Sequence, residues 1–128
     1  MRAPDTTVAW PVEIRLLKDR RTLQVSFDDG MVFNLSAELL RVTSPSAEVQ
    51  GHSEAERKTV GGKRNVTILS VDSVGNYAVR LGFDDMQSTG IYSWAFLRDL
   101  GSNAERRFQE YLDDLQAKGL DRDRPGMR

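Results

Sequence analysis

The stretch Val12-Glu13-Ile14-Arg15-Leu16, followed by Lys18-Asp19-Arg20-Arg21 and then Thr22-Leu23-Gln24-Val25-Ser26-Phe27-Asp28-Asp29-Gly30, decides the fold class. Val12, Ile14 and Leu16 alternate with Glu13 and Arg15, and Leu23, Val25 and Phe27 alternate with Thr22, Gln24 and Ser26. A period of two puts one face of a strand on a core and the other in water. The charged run Lys18 to Arg21 reads as a turn, so the two strands form a hairpin. Asp29-Gly30 is a favoured turn dipeptide and leads into a third short strand carried by Met31, Phe33 and Leu35. Ser36 is an N-cap for a helix of one or two turns over 37–42, which Pro45 prevents from continuing.

Working outward, residues 43–65 are rich in Ser, Gly and charge and hold neither period for long. A loop of that length in a small domain is usually functional, so it is the first place to look for a binding surface. Val66 to Val74 and Tyr77 to Phe83 read as a second hairpin around Gly75-Asn76. Two helices are expected after it. One runs from about Ser93 to Leu100 and ends at Gly101. The other spans 103–118, with Ser102 and Glu105 at capping-box spacing, an apolar stripe of Ala104, Phe108, Tyr111, Leu112 and Leu115 facing the sheet, and Gly119 as C-cap. The expectation is an α+β domain: a mainly antiparallel sheet of about five strands packed on one face by helices, in two layers. Residues 11–119 form the single domain, with a flexible leader at 1–10 and a flexible tail at 120–128.

The chain has 128 residues, 39% hydrophobic and 29% charged, enough for one core without disulfides. Its apolar runs fall far short of the roughly 20 residues that span a bilayer, and residues 1–7 carry no secretory h-region, so no membrane contact and a cytoplasmic location are expected. The absence of cysteine excludes disulfides, thiolate zinc sites, iron–sulfur ligation and cysteine nucleophiles. Basic residues number 18 and acidic residues 19, interspersed, which argues against a nucleic-acid footprint. The basic runs Lys18 to Arg21, Arg57-Lys58 and Lys63-Arg64 read as solvated turns.

His52 is the only histidine. It cannot build a multi-His metal site, and without a Gly-x-Ser-x-Gly elbow it reads as an exposed loop residue rather than a catalytic base. Asp28-Asp29 and Asp84-Asp85 each follow a Phe at a strand end; neighbours on a strand point to opposite faces, so these are turn formers. Gly61-Gly62-Lys63-Arg64 fails the P-loop pattern, because Arg57 stands where its first Gly belongs and Arg64 where Ser or Thr belongs. Gly90-Ile91-Tyr92-Ser93-Trp94 suits a core-packed start of a helix or an interface hot spot. Trp10, ahead of the first strand, hints at an interface.

Several blocks carry a family likeness: Pro11-Val12-Glu13-Ile14, Leu23 to Gly30, Glu38 to Val42 with Ser44-Pro45-Ser46-Ala47-Glu48, Gly61 to Val66, Val74 to Arg80, and Phe83 to Trp94. Through them the chain resembles the gamma-butyrobetaine hydroxylase-like N-terminal domain family, long catalogued as a domain of unknown function, over about residues 11–100. The family occurs as standalone bacterial proteins, as the N-terminal domain of carnitine-pathway 2-oxoglutarate dioxygenases, and fused to P-loop ATPases implicated in iron–sulfur cluster carriage. In the dioxygenases the resemblance implies a structural zinc on three cysteines and one histidine. Those positions fall here on Ser44, Ser46, Val49 and Gln87, none of which suits zinc, and Met86-Gln87 replaces the Gly-His of many standalone relatives.

No catalytic residue, cofactor or metal is therefore expected. The chain is expected to be a non-catalytic accessory module for a protein partner, an iron–sulfur carrier ATPase or an oxygenase. Its surface is expected to draw on Trp10, Arg41, Ser44, Ser46, His52, Arg57, Lys58, Lys63, Arg64, Gln87, Ser88, Thr89 and Tyr92. Two alternatives stand beside it: a small-molecule or oxidoreductase-associated role in a carnitine-type dioxygenase system, and weak nucleic-acid binding through the 57–64 loop.

Overall fold

The computed structural model describes residues 10–44, 59, 61–85 and 90–123. In chain order these form β1 (Pro11–Leu16), β2 (Thr22–Phe27), β3 (Val32–Ser36), α1 (Ala37–Val42), β4 (Ile68–Val74), β5 (Ala78–Phe83), β6 (Gly90–Ser93), α2 (Trp94–Ser102) and α3 (Ala104–Ala117). The α+β class holds. The single sheet of about five strands does not: there are two three-stranded antiparallel sheets, β1-β2-β3 and β4-β5-β6.

The sixth strand was hidden because Gly90 to Ser93 is too short to show a period; it forms by pairing with β5, Val79 opposite Tyr92 and Arg80 opposite Ile91. The sheets stay separate because the β1–β2 turn, not a ladder, joins them. Arg20 sits there at φ 58, unusual for a side chain with a Cβ. Its carbonyl accepts from the Ile68 amide at 2.8 Å, and its guanidinium donates to the carbonyls of Ile68 and Leu69 at 3.1 and 2.7 Å.

Leu23, Val25 and Phe27 of β2 are buried, as their alternation requires, and meet Leu35, Leu39, Leu40, Ile68, Leu81, Tyr92, Leu97 and Leu100 in the main core. Full burial of each such side chain is worth about 1.5–3 kcal/mol. Ser36 caps α1 by accepting from the Leu39 amide at 3.0 Å, and Ser93 caps α2 by accepting from Phe96 at 3.1 Å. Gly101 does not end α2, which continues to Ser102. The glycine is there because a Cβ would come within 2.5 Å of the Phe33 ring. With Ser102 inside α2, the expected capping box is not made; Asn103 joins the helices and turns its side-chain amide back to Asp99.

Gly119 stops α3 at φ 69, as its position predicts. Tyr111 and Leu115 of α3 meet Val42 of α1 in a second, smaller core, while Ala104 and Phe108 reach the main one, so the stripe is shared between α1 and the sheet core. The expected loose tail begins with anchored residues: the Asp121 and Arg122 carbonyls accept from the amides of Gly62 and Arg64 at 2.9 and 3.0 Å. Among the described residues no helix is long and apolar enough to cross a membrane.

Candidate functional site

A buried polar corner lies where α1, the end of β5 and the start of β6 meet. In the apolar run Leu39-Leu40-Arg41-Val42, every residue of α1 is buried, and Arg41 is only 2% exposed. A charge so placed needs a partner. Arg41 Nε donates to Asp85 Oδ2 at 2.8 Å, and Lys63 Nζ reaches the same oxygen at 2.6 Å. Burial pushes the Asp85 carboxyl up, but the hydrogen bonds and charges of Lys63 and Arg41 outweigh it and hold the group below the ordinary carboxylate range. Asp84, its neighbour, faces the other way: its carboxylate accepts from the Thr67 amide at 3.1 Å and closes the strand end. The two aspartates of one dipeptide thus do different work in the turn that follows β5, Asp84 closing the strand end and Asp85 meeting Arg41 and Lys63.

Beside this pair, Tyr92 is fully buried and its hydroxyl donates to the Leu40 carbonyl at 2.6 Å. Burial pushes its phenol far up, so it stays a neutral donor; the Ser44 hydroxyl is its other partner. Gly90 is required by this packing. A Cβ there would lie 2.5 Å from the Tyr92 ring and 3.0 Å from Ser44 Oγ.

Of the residues expected on a binding surface, Arg41, Ser44 and Tyr92 are buried and belong to this corner. The reason is physical: Tyr92 faces inward from an edge strand to the Leu40 carbonyl, and Arg41 turns inward to Asp85. Lys63 is mostly buried on Asp85, whereas Arg64 is 42% exposed by side chain and paired with Asp123. Trp10 is 51% exposed at the end of β1, its carbonyl accepting from the Asp28 amide at 2.8 Å. Ser46, His52, Arg57, Lys58, Gln87, Ser88 and Thr89 lie outside the described residues, as does Val49. Asp85, the hub of the corner, was read only as a turn former; an arginine inside an apolar helix was the signal that a buried carboxylate must exist.

Among the described residues no group of three or more His, Cys, Asp and Glu could hold a metal ion. Ser44 offers a neutral hydroxyl engaged with Tyr92.

A second polar feature faces the other side of α1. Arg122 grips Glu38 with two hydrogen bonds, 2.8 Å from Nε and 2.6 Å from Nη2, and its guanidinium lies 5.2 Å from the centre of the Phe108 ring. Neither Glu38 nor Arg122 was singled out in the sequence.

The family described as gamma-butyrobetaine hydroxylase-like, N-terminal, matches residues 14–98. A solved NMR structure is 42% identical over all of this chain and 96% of that one, with a TM-score of 0.79. A second NMR structure is 36% identical over 94% of each chain, again with a TM-score of 0.79. A crystal structure of a DUF971-family protein of unknown function from Acidithiobacillus ferrooxidans is 38% identical, covering 78% of this chain and 98% of that one, with a TM-score of 0.62. No curated protein matches the chain.

Proposed function

The chain belongs to the gamma-butyrobetaine hydroxylase-like N-terminal family, and from that premise we propose that it is a non-catalytic accessory module that docks on a protein partner. The observation that carries the docking is an apolar end of the first sheet. Trp10 is 51% exposed, Val12 66%, Met31 45% and Val32 52%. The ladder sets them together: Pro11 pairs with Phe27, Val12 is the bulged residue that follows, and Val32 pairs with Ser26. Exposed aromatic and aliphatic side chains gathered in one place favour association over solvation.

What supports the non-catalytic part is the state of the buried corner. Its carboxylate is held anionic by two cations and its phenol is held neutral by burial, so neither is poised to exchange a proton near neutral pH. What supports a zinc-free reading is the donor set: Ser44, Ser46, Val49 and Gln87 offer no thiolate and no imidazole. Lys63 and Arg64 are each committed to an aspartate, which speaks against a phosphate footprint at 57–64. The partner proposed is an iron–sulfur carrier ATPase or an oxygenase, on the strength of the family contexts alone.

Crosslinked affinity capture from the native host tests the reading, comparing wild type with a Trp10→Glu, Val32→Glu form. One protein recovered by the wild type and lost by the variant is expected; an unchanged set overturns the docking surface. Zinc near one per chain after tag-free purification, or turnover of gamma-butyrobetaine by the chain alone, overturns the rest.

A further inference from the structure

The groove beside the Glu38–Arg122 pair has a volume of about 620 Å³ and runs between β3, the first turn of α1 and α3. Leu39, Ala104 and Phe108 form its apolar walls, Glu38 and Glu105 supply carboxylates, and Arg122 supplies the cation among the described residues. That cation comes from the short tail segment beyond Gly119, which reaches the groove after the chain turns at φ 69. The segment is tied to the body by two backbone hydrogen bonds to residues 62–64 and by the Arg64–Asp123 ion pair. Arg122 is about a quarter exposed by side chain, and surface segments open locally at lower cost than the core does.

We propose that this groove is a seat for an arginine side chain of a protein partner, and that Arg122 occupies the seat in the free chain. The features of the Arg122 contact are those by which any guanidinium is recognised. Both oxygens of a carboxylate only 6% exposed meet two nitrogens of the planar fork, which an ammonium cannot match. The Phe108 face lies against the cation at 5.2 Å. The apolar walls suit the methylene stem of an arginine, and the volume beyond the pair leaves room for the residues flanking it. Charge agrees with the assignment, since among the described residues the lining without Arg122 carries two carboxylates and no cation. An incoming arginine therefore competes with Arg122, and the tail acts as a built-in competitor. The proposal rests on the reading of the chain as a protein-binding module and adds a contact lined by residues other than Trp10, Val12, Met31 and Val32.

The test is an NMR titration of the full chain with a capped pentapeptide holding a central arginine between leucines, against the same peptide with the neutral isostere citrulline. Arg122→Gln is expected to bind the arginine peptide at least tenfold more tightly than wild type, with amide shifts at residues 38, 39, 105 and 108. The citrulline peptide is expected not to bind, and adding Glu38→Gln is expected to abolish the gain. Equal binding by wild type and Arg122→Gln, equal binding of the two peptides, or binding that survives Glu38→Gln each overturns the proposal and leaves Arg122 as a structural latch. If Arg122→Gln loses its dispersed spectrum, Arg122→Lys serves, since it keeps the charge and loses the fork; affinity above wild type supports displacement and affinity equal to wild type overturns it. Capture scored with Trp10→Glu, Val32→Glu is independent of this titration, so failure of the groove and failure of the module reading are told apart.

Discussion

Arg41–Asp85 and Arg122–Glu38 are two arginine–carboxylate pairs built on one short helix, with the roles of their members exchanged. In the first the arginine is the buried member, 2% exposed against 19% for the carboxylate; in the second the carboxylate is buried, 6% against 26% for the arginine. The first sets the guanidinium Nε on an oxygen shared with Lys63, whereas the second sets two nitrogens on two oxygens. A stranded carboxylic acid can shed its charge by taking up a proton. A stranded guanidinium cannot, because it stays charged at any pH a protein survives. The two pairs thus differ less in the strength of their bonds than in what remains when one partner goes.

Asp85→Asn is accordingly expected to have the largest effect, about 3 kcal/mol in urea unfolding at neutral pH. A loss below about 1 kcal/mol would mean that Arg41 finds water or another acceptor with ease. Arg122→Gln is expected to cost less, about 1–2 kcal/mol, since the buried member left behind is a carboxylate and Gln can still donate one hydrogen bond. A cost equal to that of Asp85→Asn would erase the contrast. Tyr92→Phe removes the donor to the Leu40 carbonyl inside the same corner as Arg41, for about 1 kcal/mol with the fold retained. Arg106→Ala, which breaks an exposed pair with Glu110, is the baseline and is expected to cost less than about 0.5 kcal/mol.

Acid sharpens the comparison. The folded-state pKa of Asp85 lies below its unfolded value of 3.8, so the unfolded chain binds more protons in that range. The stability Asp85 contributes is fully present above that value and is lost as pH falls through the folded one. Thermal unfolding followed from pH 6 downward is expected to show a steeper loss in wild type than in Asp85→Asn. Parallel curves would remove Asp85 from the acid response.

Much of the fold was legible locally. Leu23, Val25 and Phe27 gave β2 by alternation, Asp29-Gly30 gave its turn, and the Phe108, Tyr111 and Leu115 spacing with Gly119 gave α3 and its end. Gly101 misled because the same residue that stops a helix also lets a ring approach one, and only the position of Phe33 tells which. Arg41, Ser44 and Tyr92 were expected on an exposed binding surface together with ten other residues, and they are buried. Burial depends on what covers a residue, and the cover comes from elsewhere in the chain.

The sequence by itself determined five of the strands, their turns and the helices, the family, and the absence of cysteine chemistry, because each follows from a residue's own stereochemistry or from neighbours within a turn or two. Tertiary structure decided the split into two sheets and the choice of partners for the buried charges. Arg41 finds Asp85 across 44 positions and Arg122 finds Glu38 across 84. No period encodes such pairs; they form only when packing has removed the water that would otherwise solvate each charge alone.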